Sequence, residues 1–271
     1  MSGLRALGPG FEPPIVAAID ARLQSIAEQE TARVLLAVES GSRAWGFPSP
    51  DSDYDCRFIY ARRRDAYLGL YSPREVIEFP IDANLDVNGW DLAKALRLLL
   101  KGNAVVIEWL TSPYVYAGSD TFRQQALALA RQVAHPRAVA RHYLHLGERQ
   151  RRTYFADTHA VEIKKLFYAL RPALALRWLR THPGEAVAPM HFPTLVTQSE
   201  LPADITRIVE DLLARKAVTR ELGTGELPRP IGSLIDAEFT TAREIWPSSP
   251  WRPEVAMVAA ADELFRSWLA V

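Results

Sequence analysis

Apolar residues in the first third of the chain change their spacing several times, and each change predicts a different element. From about 14 to 30 they recur at helical intervals behind a proline pair, which suits a first helical turn and predicts a helix. Short runs rich in β-branched and aromatic residues then predict strands at 33–39, 55–60, 75–79 and 84–87. The segment 46–52 carries two prolines and a glycine, so we expect irregular surface chain there.

Beyond Trp90 the spacing of the apolar residues becomes helical and stays so. The pattern predicts helices at 91–102 and 104–110, a short strand at 114–117, and helices at about 120–134, 137–155, 159–181, 203–217, 231–245 and 253–270. No internal repeat interrupts this order. We therefore expect an α+β protein with an N-terminal α/β domain over 1–117 and a helical domain over 118–271.

The composition is that of an ordinary globular protein. Hydrophobic residues make up 48% of the 271 residues and charged residues 24%, which excludes disordered and disulfide-scaffold classes. Lys plus Arg and Asp plus Glu both total 32, which argues against binding nucleic acid over the whole surface but leaves a local basic cleft open. Because there is no bilayer-length apolar run, no secretory leader and only one cysteine, Cys56, we expect a cytoplasmic protein without a membrane partner.

The most informative segment joins the first two predicted strands. Gly41 and Ser42 follow the first strand, and Asp53 and Asp55 open the second after an interval of ten residues. Aspartates two apart on a strand share a face and can hold the same metal ions. Gly41 permits close approach of the backbone to phosphate, Ser42 offers a hydroxyl and an amide, and a helix beginning near Arg43 would aim N–H groups at the anion. The pattern predicts phosphoryl-transfer chemistry.

Two simpler interpretations of these aspartates are weaker. A calcium loop that began at Asp51 would need glycine where Cys56 stands and an acid where Arg62 stands. A solvated acidic turn is disfavoured because Asp55 leads directly into an apolar strand. Two carboxylates about 4 Å apart repel by roughly 4 kcal/mol at an effective dielectric constant near 20, so a cluster of them needs a cation.

The segment 39–60 resembles the Gly-Ser and Asp-hydrophobic-Asp motif of the DNA polymerase beta-like nucleotidyltransferases. With 85–100 and 102–113, it is similar to predicted nucleotidyltransferases that include an RNA-ligase-associated branch. The specific resemblance covers about 39–116, and a weaker one covers 142–178. It implies a catalytic domain with a mixed sheet, followed by a helical substrate-binding domain.

The resemblance also implies a third carboxylate on a later strand. Asp86 lies in the matching hydrophobic-Asp-hydrophobic sequence. Asp82 and Asp91 are nearby alternatives, but a turn explains the first and a helix N-cap the second.

The implied activity is transfer of a nucleoside monophosphate from an NTP, for which we expect ATP, to an acceptor hydroxyl, with release of pyrophosphate. Asp53, Asp55 and Asp86 would hold Mg²⁺, or Mn²⁺ in its place. RNA ends, small molecules and protein side chains all stay open as acceptors, and the RNA-ligase association favours RNA. The alternative is a non-catalytic regulatory module that binds a nucleotide or RNA.

Basic residues outside the motif leave further alternatives open. Arg43 either contacts phosphate or balances the acidic cluster. Lys164, Tyr168 and Arg171 recur on one helix face, which either closes over the nucleotide or is solvated. The densest basic run in the C-terminal half is 149–152, which meets a nucleic-acid acceptor or is solvated.

Overall fold

A computed structural model describes residues 3–82, 84–155, 160–218, 224–248 and 251–269, without the side chains of 160, 163, 164 and 224. Its main feature is a five-stranded sheet in the order β3-β4-β2-β1-β5. The strands are β1 (Ala32–Glu39), β2 (Tyr54–Arg62), β3 (Val76–Glu78), β4 (Leu85–Asp91) and β5 (Val115–Gly118). Strands β2 and β4 are parallel and the other neighbours are antiparallel, so the sheet is mixed, as predicted.

Helices account for most of the remaining described chain. They are α1 (Pro13–Gln29), α2 (Leu92–Leu100), α3 (Ala104–Thr111), α4 (Asp120–Val133), α5 (Pro136–Phe155), α6 (Ile163–Thr181), α7 (Phe192–Gln198), α8 (Ala203–Val218), α9 (Arg229–Ile245) and α10 (Val255–Leu269). The predicted α+β class is confirmed. The short helix α7, the 3-10 turn Arg64–Tyr67 and the paired strands β6 (Ala160–Glu162) and β7 (Thr224–Glu226) were not predicted, because each is too short to show a period.

The sheet is covered on both faces because its strands are apolar on both sides. Phe58 packs with α1 in one cluster, and the next residue, Ile59, belongs to a second cluster with α2, α3 and α4. This second cluster continues through α5, α6 and α9, so the main core spans the predicted boundary at 117/118. Within the described ranges, no helix combines the length and apolarity needed to cross a bilayer.

The segment 46–52 is irregular, as predicted, but it is surface chain only at Pro50 and Asp51, while Phe47, Ser49 and Ser52 are buried, which corrects the prediction. Phe47 is buried and its ring stacks on Phe167 of α6 at 4.8 Å between centroids. The buried ammonium of Lys216 on α8 donates a hydrogen bond to the Phe47 carbonyl at 2.8 Å. The prolines prevent regular structure, but one large apolar side chain is enough to hold the loop inside the helical layer.

Close packing of α5 brings its C-terminal half toward the sheet edge. A Cβ on Gly147 would lie 2.4 Å from the Phe239 ring of α9 and 3.1 Å from Pro172 of α6. Only glycine therefore permits this approach of three helices. Residues near the end of α5 consequently reach the loop that follows β1.

Candidate active site

The acidic edge predicted from the sequence is assembled where β2 and β4 begin. The parallel register places Asp55 opposite Asp86, and Asp53 lies just before β2. Asp82 lies on a turn and forms an ion pair with Arg22 at 3.4 Å, with 77% of its side chain exposed. Asp91 is the N-cap of α2, where its Oδ1 accepts a hydrogen bond from Ala93 N at 2.8 Å. Of the three candidates for a third carboxylate, Asp86 is therefore the one beside Asp55.

An arginine joins these two carboxylates, and it was missed by the sequence analysis. The Nη2 atom of Arg57 lies 3.0 Å from Asp55 Oδ1 and 2.7 Å from Asp86 Oδ2. Arg57 is two residues after Asp55 on β2, so its side chain emerges on the same face. The i, i+2 spacing that paired the aspartates was the signal that pointed to it.

The electrostatics of Asp55 are those of a crowded carboxylate. Burial raises its pKa above the ordinary value, and the charges of Asp86 and Asp53 raise it further, while Arg57 and Arg43 lower it. The arginines therefore do not compensate fully for desolvation and repulsion. A carboxylate in this condition is stabilised by additional positive charge.

The residues at this edge suit Mg²⁺ in their chemistry, because carboxylate oxygens are its preferred protein ligands. The Arg57 guanidinium marks a position where a cation meets Asp55 and Asp86 together. In the described part of the chain, no three His, Cys, Asp or Glu side chains are grouped closely enough to hold a metal ion. Asp53, Asp55 and Asp86 would therefore have to draw closer together to hold Mg²⁺.

Gly41 is required by the position of the Asp55 carboxylate. A Cβ at residue 41 would lie 1.8 Å from Asp55 Oδ2, far inside van der Waals contact. The absence of a Cβ at residue 41 therefore makes room for the Asp55 carboxylate. This requirement is additional to the close approach of phosphate that we expect from the sequence.

A buried glutamate fixes the turn against β2. The Oε1 atom of Glu39 accepts hydrogen bonds from Gly41 N at 3.3 Å and Asp55 N at 3.1 Å, and its Oε2 accepts one from the Tyr116 hydroxyl at 2.5 Å. Burial raises the pKa of Glu39 to about 6, against these hydrogen bonds. Its signal in the sequence was a lone acid directly after the apolar run 34–38.

The helix expected near Arg43 is not formed, which corrects that prediction. Residues 42–46 make a hydrogen-bonded turn in which Trp45 N donates to Gly41 O at 3.0 Å and Gly46 N to Arg43 O at 3.1 Å. Gly46 has a φ of +83°, and Pro48 follows soon after, so the chain cannot continue as a helix. The backbone N–H groups of Ser42 and Arg43 make no hydrogen bond within the described residues and are free to meet an anion.

The side chains of Ser42 and Arg43, both predicted to bind nucleotide, contact different parts of the protein. Ser42 lines the cavity beside the aspartates, and its hydroxyl donates to Ser52 Oγ at 2.9 Å. The Arg43 guanidinium donates to Ser52 O at 2.9 Å and lies 3.9 Å from the centroid of the Tyr54 ring. Arg43 lowers the pKa of Asp55, so its position supports the charge-balancing alternative.

Two helices close the site opposite the turn. The cavity has a volume of about 380 Å³ and is lined by Ser40, Gly41, Ser42, Trp45, Ser52, Asp53, Asp55, Arg57, Gln150, Tyr154 and Tyr168. Tyr168 comes from α6, as predicted, and burial together with the charge of Asp55 raises its pKa. Gln150 and Tyr154 come from α5 and were not predicted. Gln150 Oε1 is buried and has no hydrogen-bond partner within the described residues.

Arg171 does not reach the cavity, which corrects the proposed phosphate contact. Its guanidinium donates to both oxygens of Glu108 at 2.9 Å, with 4% of each side chain exposed. It also lies 4.3 Å from the centroid of the Trp45 ring, which lines the cavity. Arg171 therefore supports the cavity wall from behind. Lys164 is on the first turn of α6, and its side chain lies outside the described residues.

A family model and a sequence relative each match most of the chain. The model of the RlaP family, described as the RNA repair pathway DNA polymerase beta family, matches residues 15–267. The Bacillus subtilis (strain 168) protein named "Uncharacterized protein YcgL" is 40% identical over 222 residues, which are 82% of this chain and 84% of the relative. The crystal structure of a nucleotidyltransferase-like protein from Exiguobacterium sibiricum 255-15 aligns with 94% of this chain and 79% of that one, at a TM-score of 0.31 and 11% identity. The family match includes every residue of the acidic edge and of the helices that cover it.

Proposed function

The chain belongs to the RNA repair pathway DNA polymerase beta family, and from this membership we propose that it is a Mg²⁺-dependent nucleotidyltransferase. It would transfer a nucleoside monophosphate from ATP to a hydroxyl group of RNA and release pyrophosphate. We also propose a cytoplasmic location, and we retain the division into a catalytic domain, 1–117, and a helical substrate-binding domain, 118–271.

One observation carries the proposal, which is the register between β2 and β4. It sets Asp55 beside Asp86, with Gly41 in contact with Asp55 and Ser42 on the wall of the same cavity. Carboxylates that hold cations and a turn with free N–H groups serve the same kind of ligand, a polyphosphate. An acidic turn with a purely structural role would not need free backbone N–H groups beside it.

The proposed roles follow from these positions. Asp53, Asp55 and Asp86 would hold Mg²⁺, which neutralises charge on the triphosphate and activates the acceptor oxygen. The Ser42 hydroxyl and the N–H groups of Ser42 and Arg43 would bind phosphate oxygens. The acceptor oxygen forms a bond to the α-phosphorus while the bond from that phosphorus to the pyrophosphate oxygen breaks, and Asp86 orients the hydroxyl or accepts its proton.

The opposite wall would hold the nucleoside. Tyr154 is partly exposed at the end of α5, and Tyr168 faces the same cavity from α6. Aromatic faces accept a base by stacking, and the unpartnered Gln150 Oε1 offers an acceptor to a base amino group. An amino group of adenine, guanine or cytosine would satisfy this acceptor, so the contact is compatible with ATP and disfavours UTP.

The test is incubation of the protein with each α-labelled NTP and Mg²⁺ or Mn²⁺ in the presence of total RNA, protein and metabolites. We expect label from ATP in the RNA fraction, dependent on the divalent ion. Label confined to protein or to metabolites would overturn the RNA acceptor. Absence of label from every fraction would overturn nucleotidyl transfer.

One observation favours the alternative of a non-catalytic nucleotide-binding module. Arg57 already forms ion pairs with both Asp55 and Asp86, as a fixed cation would in a pocket that binds nucleotide without metal. The two functions differ in how ATP binding responds to Mg²⁺. Under the catalytic proposal the affinity rises with Mg²⁺ and this rise is lost in Asp55→Asn, whereas the alternative predicts tight binding in EDTA.

A further inference from the structure

A second cavity, lined by arginines, lies at the other end of β1 and β2. It has a volume of about 300 Å³, and arginines dominate its polar lining: Arg33, Arg62, Arg63 and Arg64. Strand β2 runs nine residues from Tyr54 to Arg62, so about 26 Å separate this end from the acidic edge at about 3.3 Å per residue. The two cavities share no lining residue.

Two of the arginines are held in place by the fold. The Arg33 guanidinium donates to the Trp268 carbonyl at 2.9 Å and lies 5.6 Å from the centroid of its indole ring. Arg62 forms an ion pair with Glu30 at 2.9 Å, with 13% of the arginine side chain exposed. Its Nε is buried and has no hydrogen-bond partner among the described residues. An oriented cation with an unsatisfied donor is a prepared contact for an anion.

The other two arginines are exposed and unpaired. Arg63 and Arg64 follow β2 directly, and neither forms a hydrogen bond or ion pair through its side chain within the described part of the chain. Four arginines therefore line one cavity, and the acids beside them are Glu30, which pairs with Arg62, and Asp65, which follows Arg64 in the sequence. The excess of positive charge is local, and the neutral total charge of the chain conceals it.

The basic run that drew attention in the sequence is different. Arg151 of that run forms an ion pair with Asp236 at 3.1 Å. The cavity beside it also contains Glu148, whose carboxylate accepts a hydrogen bond from Arg243. Its positive charge is therefore largely matched by acids, whereas the charge beside Arg63 and Arg64 is not.

We propose that Arg33, Arg62, Arg63 and Arg64 form a binding site for the phosphate groups of an RNA strand. Guanidinium groups bind phosphate through paired hydrogen bonds, and several in a row suit a ligand with repeating charges. The distance from the acidic edge makes the site separate from that of the NTP. The choice of RNA rests on the proposed function, while the preference for phosphate rests on the arginines alone.

The experiment measures binding of a fluorescent single-stranded RNA by anisotropy at several salt concentrations. The variant Arg63→Ala/Arg64→Ala should bind at least about tenfold more weakly, and the slope of log K against log salt should fall by about 1.4 because two phosphate contacts are lost. The matched control is Arg149→Ala/Arg152→Ala, which removes the same charge from exposed positions of α5. An equal loss in both variants, or no loss in the first, overturns the proposal.

Two further measurements separate this inference from the proposed function. The first is nucleotidyl transfer by the wild-type protein: if RNA binding depends on Arg63 and Arg64 while the wild type transfers no nucleotide, the site stands and the proposed function fails. Binding of ATP and of pyrophosphate is measured in parallel. If Arg63→Ala/Arg64→Ala weakens these small anions but leaves RNA binding unchanged, the site takes free phosphates and the RNA proposal is overturned.

Discussion

Two clusters of charged side chains lie near Trp45, which lines the cavity with Asp55 and Arg57 and carries Arg171 over its ring, and they differ in how their charges are matched. In the open cluster, Asp55 and Asp86 share one arginine, Arg57, and the side chains are 28%, 29% and 16% exposed. In the closed cluster, Glu108 meets Arg171 through two hydrogen bonds, and both side chains are 4% exposed. Tyr143 donates a third hydrogen bond to Glu108 at 3.0 Å.

The difference identifies which cluster has capacity for a ligand. In the closed cluster each carboxylate oxygen is matched by donors, so a further ion would find only saturated partners. In the open cluster the negative charge exceeds the positive, and burial and neighbouring acids raise the pKa of Asp55. An excess of like charge that the fold itself does not neutralise is typical of functional sites.

The largest expected effect is on activity in the open cluster. Asp53→Asn and Asp55→Asn should each abolish nucleotidyl transfer, because each removes a negatively charged carboxylate that would hold Mg²⁺. The fold should stay intact. Since the pKa of Asp55 is raised, its ionised form costs folding free energy at neutral pH, and the melting temperature should stay equal or rise slightly. Label transfer and thermal melts measure the two effects.

Neighbouring aspartates sharpen this test. Asp86→Asn should lower kcat far more than it raises KM for the NTP. Asp86 would act on the acceptor hydroxyl, and that interaction matters mainly in the transition state. Asp82→Asn is the matched control, since its exposed side chain pairs only with Arg22 among the described residues, and it should retain full activity. Full activity in Asp55→Asn, or loss of activity in Asp82→Asn, would contradict the assignment of Asp53, Asp55 and Asp86 as the residues that hold Mg²⁺.

The closed cluster should show the reverse pattern, with a large loss of stability. Glu108→Gln leaves the Arg171 guanidinium buried without its carboxylate, and breaking such a pair costs about 3–5 kcal/mol. Chemical denaturation measures the change in free energy of unfolding. Below the lowered melting temperature, KM for the NTP should be unchanged, and a raised KM without loss of stability would return Arg171 to the nucleotide site.

Much of the open cluster could be predicted from the sequence because its geometry is local. The spacing of Asp53 and Asp55 sets their common face, and the apolar flanks of Asp86 indicate a strand. The structure places Asp86 beside Asp55 through the parallel pairing of β2 and β4. The catalytic roles of all three stay predictions.

The closed cluster could not be found from one helix at a time. The helical period places Tyr168 and Arg171 on one face of α6, but α6 is apolar and buried on nearly all sides around Arg171. The partner lies in α3, where Glu108 is the lone charge in an apolar helix. The signal was a lone acid in α3 and an arginine within the otherwise apolar stretch 166–176 of α6, and their pairing is a tertiary contact that no period shows.

A smaller effect is expected where the open cluster meets its turn. Gly41→Ala would put a Cβ 1.8 Å from Asp55 Oδ2, so the carboxylate must move. We expect nucleotidyl transfer to fall by about 100-fold, or about 2.7 kcal/mol in activation free energy, with little change in melting temperature. Gly69→Ala is the control, because its Cβ would meet no atom closer than 3.6 Å. Equal activity in the two variants would show that the position of the Asp55 carboxylate is unimportant.

The smallest effect concerns acid stability beside the closed cluster. His142 of α5 accepts a hydrogen bond at Nδ1 from Ala104 N, at the start of the helix that carries Glu108. Burial lowers the pKa of His142 below 6.5, and the charge of His145 lowers it further while Glu108 raises it. The folded state therefore binds this proton less readily than the unfolded state, so the stability is present above about pH 6.5 and is lost as the pH falls through the lowered pKa. Urea denaturation between about pH 7.5 and about pH 5 should show this loss in the wild type and a smaller one in His142→Asn. An equal loss in both proteins would assign the acid sensitivity to other groups.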